Sequence, residues 1–298
     1  MSEHEFIYRL LRELSIPDAD AYYESGWMFK VDGYSAEEAL YPWMSLEDLG
    51  WKAVTSAISD VYSSGGLPVF YLASIGVGSR ENAEELTRGI REAVGFYGGK
   101  LVGGDTNRCS CDAWIDVFAV GKSLAGRLLD RSGGSPGDAV IQLGSIGLGS
   151  AAYYIYKEGL SVEDFPSVMG WSVRPVIPSW IPYVVSHKCV RAVIDNSDGF
   201  LYSLRFLAEG SGVGLVVSDL WFDEEALSVA DGDWRKLSVG EDYNLFLLVS
   251  NDCVDDFLGY CSGFASGMWA CRVVGLAGKG EPGVVLSGFE GSGGWESF

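Results

Sequence analysis

Residues 123–149 read SLAGRLLDRSGGSPGDAVIQLGSIGLG, and this stretch divides the chain. From 123 to 138 the composition shifts to Gly, Ser, Arg and Pro and closes on Pro136-Gly137-Asp138, a strong turn signal. Ala139–Leu143 then begins a new apolar strand, which runs through Gly144-Ser-Ile-Gly147-Leu-Gly149 into a helix. A junction of this kind predicts two units, residues 1–125 and 126–298, each mixing helices and strands, an α/β (α+β) fold class. The length of 298 residues and the 48% hydrophobic content suffice for two cores.

Upstream of the junction, residues 3–14 read as a short amphipathic helix with Phe6, Ile7, Leu10, Leu11 and Leu14 on one side. Trp27, Phe29 and Val31 alternate with Met28, Lys30 and Asp32, the pattern of a half-buried strand, so Lys30 and Asp32 share a face. Ser45 and Asp48 form a capping-box pair that opens a helix running to about Ser64, where Gly65-Gly66 and Pro68 stop it. Strands are predicted at 69–76, 100–103 and 114–122, and a helix at 81–95. Downstream, a strand at 192–194 leads to Asp195-Asn-Ser-Asp198-Gly199 and a helix to Glu209, with further strands at 215–217, 244–249 and 272–274.

The net charge of -20 and pI near 4.4 repel polyanions and leave no basic footprint for nucleic acid or anionic membrane. Cys109, Cys111, Cys189, Cys253, Cys261 and Cys271 match neither a zinc knuckle nor a compact disulfide framework, so reduced, buried thiols are expected. No run approaches the ~20 apolar residues of a membrane-spanning helix, and the first twenty residues are charged throughout. A cytoplasmic location is therefore expected. With His4 and His187 alone, neither a histidine-rich metal site nor a Ser/His/Asp triad is expected, and His187 is read as structural.

Acidic residues recur where a strand or helix meets a glycine-rich turn: Asp60, Asp105, Asp195 with Asp198, and Glu241-Asp242. Asp60 lies in the last turn of its helix, where the dipole disfavours a carboxylate by roughly 0.3–1 kcal/mol. A metal, a distant arginine or plain exposure would each resolve this. Gly103-Gly104-Asp105-Thr106 ends a strand either as a ligand approach or as a tight turn capped by Asp105. The Gly144–Gly149 segment suits phosphate at a helix N-terminus, yet neither GxGxxG nor a P-loop occurs. Carboxylates at several positions fit magnesium bridged to a phosphate-bearing substrate.

Ser59-Asp60, Gly103-Gly104-Asp105-Thr106, Arg131 with Pro136-Gly137-Asp138, Asp195-x-Ser197-Asp198-Gly199 and Gly240-Glu241-Asp242-Tyr243 stand in an order that resembles the thiamine-monophosphate kinase family. That family lies within the aminoimidazole-ribonucleotide-synthase-like superfamily. The resemblance implies an N-terminal α/β domain whose sheet forms a dimer barrel, a C-terminal α/β domain, and ATP in the cleft between them. It implies magnesium on Asp18, Asp32, Asp60, Asp105, Asp195 and Asp198, with ATP contacts from Tyr97, Gly104, Asp105, Arg131 and Ser197. Asp60, Asp198 and Arg131 would serve catalysis, and Glu241, Asp242 and Trp295 the acceptor, thiamine monophosphate. An ATP-dependent synthase of the same superfamily and a non-catalytic nucleotide-binding relative share these motifs.

The chain departs from the family pattern in four places. Gly-Asp-Asp-Ala-Ala becomes Pro17-Asp18-Ala19-Asp20-Ala21, Thr-Asp becomes Val31-Asp32, the substrate-side His-Phe is missing between Gly33 and Met44, and the ending Gly294-Trp295-Glu296-Ser297-Phe298 lacks its histidine. Only Tyr34, Tyr41 and Trp43 offer rings in the third of these. Lys30 brings a fixed charge beside Asp32, which implies fewer bound magnesium ions; the alternative is a solvated lysine loosely paired with Asp32.

Overall fold

The structure, a computed structural model, describes residues 3–14, 16 and 19–287. The first half runs α1 (Glu3–Leu14), β1 (Tyr22–Glu24), β2 (Trp27–Ser35), α2 (Ala36–Ala39), α3 (Leu46–Ser63), β3 (Gly66–Val77), α4 (Arg80–Tyr97), β4 (Lys100–Arg108) and β5 (Ala113–Ser123). The second runs β6 (Ala139–Leu143), α5 (Leu148–Glu158), α6 (Pro166–Val173), α7 (Ile181–Val185), β7 (Val190–Asp195), α8 (Phe200–Ser211) and β8 (Gly214–Val217). It continues with α9 (Glu224–Val229), β9 (Leu245–Val249), α10 (Val254–Ser262), β10 (Cys271–Gly278) and β11 (Gly283–Leu286). Five strands form one sheet in the order β1-β2-β5-β3-β4, and six form another in the order β11-β8-β10-β6-β9-β7. The mixed α and β reading therefore holds. No helix among the described residues is long and apolar enough to cross a membrane.

Helix α3 organises the interior. Its capping box forms as the sequence predicts, with the Ser45 hydroxyl accepting from Asp48 N and the Asp48 carboxylate accepting from Ser45 N. From Leu49 to Ser63 every residue is buried, the condition of a helix enclosed on all sides. It packs on α4, β2 and β5 of the first half and reaches α6, α7 and β7 of the second. Two glycines make the α3–α4 approach possible: a Cβ on Gly89 would stand 1.8 Å from Glu47 O, and one on Gly50 2.3 Å from Leu86 O.

Strand β4 differs from expectation. Gly103-Gly104-Asp105-Thr106 lies inside it and forms no turn, since β4 pairs in parallel with β3 out to Val77↔Arg108. Glycine serves interstrand packing here: a Cβ on Gly104 would sit 1.9 Å from Ala73 O. The cysteines also differ, because all six are paired, Cys109–Cys111, Cys189–Cys253 and Cys261–Cys271. Cys189 and Cys253 meet because β7 and β9 are neighbours, a relation that spacing alone does not carry. His187 packs against Tyr260 and Phe257, as a structural residue does.

The N-terminus of α5 is already occupied. Asp242, expected at the acceptor, is buried, and its carboxylate accepts from Gly149 N at 2.8 Å, with the Gly147 and Ser150 backbone also bonded to it. The anion site foreseen for phosphate in 144–149 is thus filled by the chain's own carboxylate, the group a helix N-terminus attracts.

Two consequences of this packing are measurable. Gly89→Ala should cost about 1–3 kcal/mol by overpacking, read as a lower denaturant midpoint; an unchanged midpoint would contradict the close approach. Burial raises Asp242 to about 7 against an ordinary 3.8, outweighing the backbone N–H groups that favour its charge. The folded state then holds a proton that the unfolded chain has released, so this group's stabilisation is complete below about pH 3.8 and is lost as pH rises to about 7. Between about pH 5 and about pH 8, thermal melts of Asp242→Asn should gain on the parent, and a constant difference would contradict the assignment.

Candidate active site

Ser56, Ser59, Asp60 and Ser63 follow helical spacing on α3, so one polar stripe interrupts an otherwise enclosed helix. Buried polar groups need partners, and each of these finds a carboxylate or cation. The Ser56 hydroxyl donates to Asp32 and the Ser59 hydroxyl to Asp195. Ser63 Oγ donates to Asp20 Oδ2 at 3.1 Å. Asp60, facing the unfavourable end of the helix dipole, is met by Lys30 Nζ at 2.8 Å. The compensation is thus a lysine on β2, a solution the sequence alternatives did not include, and Lys30 is neither loosely solvated nor paired with Asp32 alone.

Strand alternation aims Lys30 and Asp32 at α3 as expected. Gly33 N donates to Asp32 Oδ1 at 3.1 Å. Asp195 ends β7, and Ser197 Oγ donates to its Oδ1 at 3.3 Å. Asp20 completes the group, held by Arg131 Nη2 at 2.6 Å. One carboxylate oxygen each from Asp20, Asp60 and Asp195 lies within 4.8 Å of the others. Burial, with neighbouring carboxylates, raises Asp60 well above the usual range and pushes Asp195 up to about 7. Burial alone would lower Lys30, but Asp60, Asp32 and Asp20 outweigh it and raise its pKa.

Two cavities meet at this cluster, and both are lined by Lys30, Asp60, Ser197 and Asp198. The first, about 290 Å³, is walled by Tyr34, Tyr41, Tyr153, Glu38 and Glu241. Behind it Lys52, only 2% exposed, binds Glu241 Oε2 at 2.8 Å and lies 5.1 Å from the ring centres of both Tyr34 and Tyr41. The second, about 340 Å³, is walled by Ile7, Leu11, Phe206 and Arg131. The motif Gly240-Glu241-Asp242-Tyr243 crosses the first cavity with positive φ at Gly240, Glu241 and Tyr243 (124°, 58° and 54°). Such conformations are rare for a bulky residue and concentrate at ligand sites. The Tyr243 hydroxyl is paired with that of Tyr34 at 2.8 Å.

Asp32, Asp60, Asp195, Asp198, Ser197, Arg131 and Glu241 are thus gathered around the two cavities. Asp20, Lys52, Ser56 and Ser63 join them without an assigned role, as do Ser59 and Tyr243, which the sequence offers only as parts of motifs, although the 56, 59, 60, 63 spacing is visible in the sequence. Tyr97, expected at the nucleotide, is a core residue: its hydroxyl bonds Thr55 Oγ1 at 3.0 Å and Pro175 O at 3.3 Å, and it lines neither cavity. Gly104 and Asp105 lie exposed on β4, where Asp105 accepts from Asn107 Nδ2 at 2.9 Å, and line neither cavity either. Asp18 and Trp295 lie outside the described residues. The carboxylate that the Pro17–Ala21 segment appeared to displace is present in the cluster as Asp20.

Residues 18–123 match the family of AIR synthase related proteins, N-terminal domain. The chain is 32% identical over 243 residues to a thiamine-monophosphate kinase of Pyrobaculum calidifontis, covering 81% of this chain and 78% of the relative. To the thiamine-monophosphate kinase of Mycobacterium tuberculosis it is 31% identical over 271 residues, 86% of this chain and 76% of the relative. In fold it is similar to AaThiL complexed with AMPPCP and TMP, with a TM-score of 0.85 and 24% identity over 100% of this chain and 97% of that one. With its carboxylate cluster and strained Gly240-Glu241-Asp242-Tyr243 turn, the chain belongs to the thiamine-monophosphate kinase family.

Proposed function

We propose that this chain transfers the γ-phosphoryl group of ATP to thiamine monophosphate, giving thiamine diphosphate and ADP. An acceptor phosphate oxygen forms the new bond to the γ-phosphorus while the bond to the β,γ-bridging oxygen breaks, and that electron pair leaves on ADP. The observation that carries the reading is the meeting of two cavities at one charged seam. The cavity of Arg131, Ile7, Leu11 and Phe206 suits a nucleotide, with a guanidinium for phosphate and apolar walls for a base. That of Tyr34, Tyr41, Tyr153, Glu38 and Glu241 suits an aromatic, positively charged acceptor. Its relatives' names and the ligands of AaThiL support this pair of substrates.

The donor set fits magnesium. Asp20, Asp32, Asp60, Asp195 and Asp198 bring five formal negative charges against two positive ones from Lys30 and Arg131, so three remain to be matched. Hard carboxylate oxygens are the ligands magnesium takes. Bound there, it would neutralise charge on the phosphate oxygens during in-line transfer. The chain's part is to hold the two substrates in line and exclude water. Arg131 steadies Asp20, the α3 hydroxyls fix Asp32 and Asp195, and Lys52 fixes Glu241. No general base is needed for a phosphate acceptor.

The halves 1–125 and 126–298 are assigned to metal and nucleotide binding and to closing the cleft. A cytoplasmic homodimer belongs to the same proposal. It is supported by the face of the first sheet opposite Lys30, where Val31, Phe118 and Leu72 align across strands beside Phe29, Val120 and Phe70. Val31 is 58% and Leu72 38% exposed.

Incubation with ATP, magnesium and thiamine monophosphate should yield thiamine diphosphate and ADP in equal amounts. Asp198→Asn should lower kcat/KM by about 10–100-fold, with little change in melting temperature. ATP-analogue binding without product would point to a non-catalytic relative, and near-parental kinetics of the variant would remove Asp198 from the machinery.

A further inference from the structure

We infer that the Lys30 ammonium is a cation built into the transfer centre, holding at Asp60 a position that a divalent ion would otherwise take. The inference deepens the functional reading above and rests on it. Lys30 is the only lysine lining either cavity among the described residues, and it lines both. It therefore stands at the seam, where charge passes from one phosphate to the other. Its base is fixed on an interior strand, with Lys30 opposite Ala119, and its side chain is only 26% exposed.

The surrounding groups define what the ammonium does. Asp60 lies 2.8 Å away, Asp32 follows two residues on along the same strand face, and Asp20 lies beyond Asp60 in the carboxylate group. Arg131, the other cation, is turned to Asp20 and stacked over Phe206, with its guanidinium carbon 5.5 Å from the ring centre. It leaves Asp60 to Lys30. An ammonium is a compact point charge with three donors, so it can serve carboxylate and phosphate oxygens together. A metal ion placed against the same Asp60 oxygen would meet its repulsion directly. Unlike a metal, the ammonium cannot dissociate from the chain. One part of the neutralising charge thus becomes independent of free magnesium.

The test counts ions without relying on turnover. Mn²⁺ bound per chain is measured by EPR titration in the presence of AMPPCP for the parent, Lys30→Ser and Lys30→Arg, with melting curves alongside. The serine variant should bind one Mn²⁺ more per chain than the parent and gain melting temperature as Mn²⁺ is added, while the arginine variant keeps the parental count. Equal counts in parent and serine variant overturn the inference alone. A serine variant that stays unfolded at every Mn²⁺ concentration, while the arginine variant folds, also overturns it, because the lysine then acts only in packing. A parent that binds neither AMPPCP nor Mn²⁺ defeats the functional reading and this inference with it.

Discussion

Carboxylates crowded into a dry cleft repel one another, at roughly 4 kcal/mol for two unit charges 4 Å apart at an effective dielectric of 20, and the architecture here is organised around containing that repulsion. Asp20, Asp32, Asp60 and Asp195 each have an identified counterweight. Lys30 sits on Asp60, Arg131 on Asp20, and serine hydroxyls of α3 reach Asp20, Asp32 and Asp195. These counterweights come from both halves of the chain. They converge only because α3 runs between the two sheets, and α3 can take that place only because Gly50 and Gly89 let α4 lie so near. The chemistry of the cleft and the packing of a glycine pair beyond it are therefore linked through one helix.

A second constraint fixes where phosphate can bind. Asp242 occupies the N-terminus of α5, so the glycine-rich segment offers its dipole to the chain's own carboxylate. The same interaction anchors the strained backbone of Glu241 and Tyr243 and presents Glu241 to the tyrosine-walled cavity, with Lys52 beneath it. A motif that reads as two substrate carboxylates divides its work between them: Asp242 locks the turn and Glu241 faces the cavity.

Much of the fold was legible because local physics decided it. The capping box at Ser45, the alternation of Trp27 to Asp32 and the turn at Pro136-Gly137-Asp138 all appear where the residues placed them. Features decided by distant partners were not legible. Gly104 reads as a turn glycine, yet its role is set by Ala73 on the neighbouring strand. The cysteines find partners through sheet order and helix placement, and Tyr97 is drawn into the core by Thr55 and Pro175. Asp60 is the instructive middle case. Helix position alone asked for a compensating charge or for exposure, and the alternation of β2 put Lys30 on the face beside Asp32, but only the tertiary structure joined the two observations.

The central claim is that the seam lined by Lys30, Asp60 and Asp198 is where the nucleotide phosphates lie. A crystal structure of this chain with AMPPCP and Mn²⁺, with data collected at the manganese edge, tests it most directly. The account predicts anomalous peaks among Asp20, Asp195 and Asp198, the terminal phosphate within hydrogen-bond reach of Lys30, and Asp242 still seated on Gly149. Phosphates bound instead at the N-terminus of α5, with Asp242 displaced and the carboxylate seam free of metal, would contradict it.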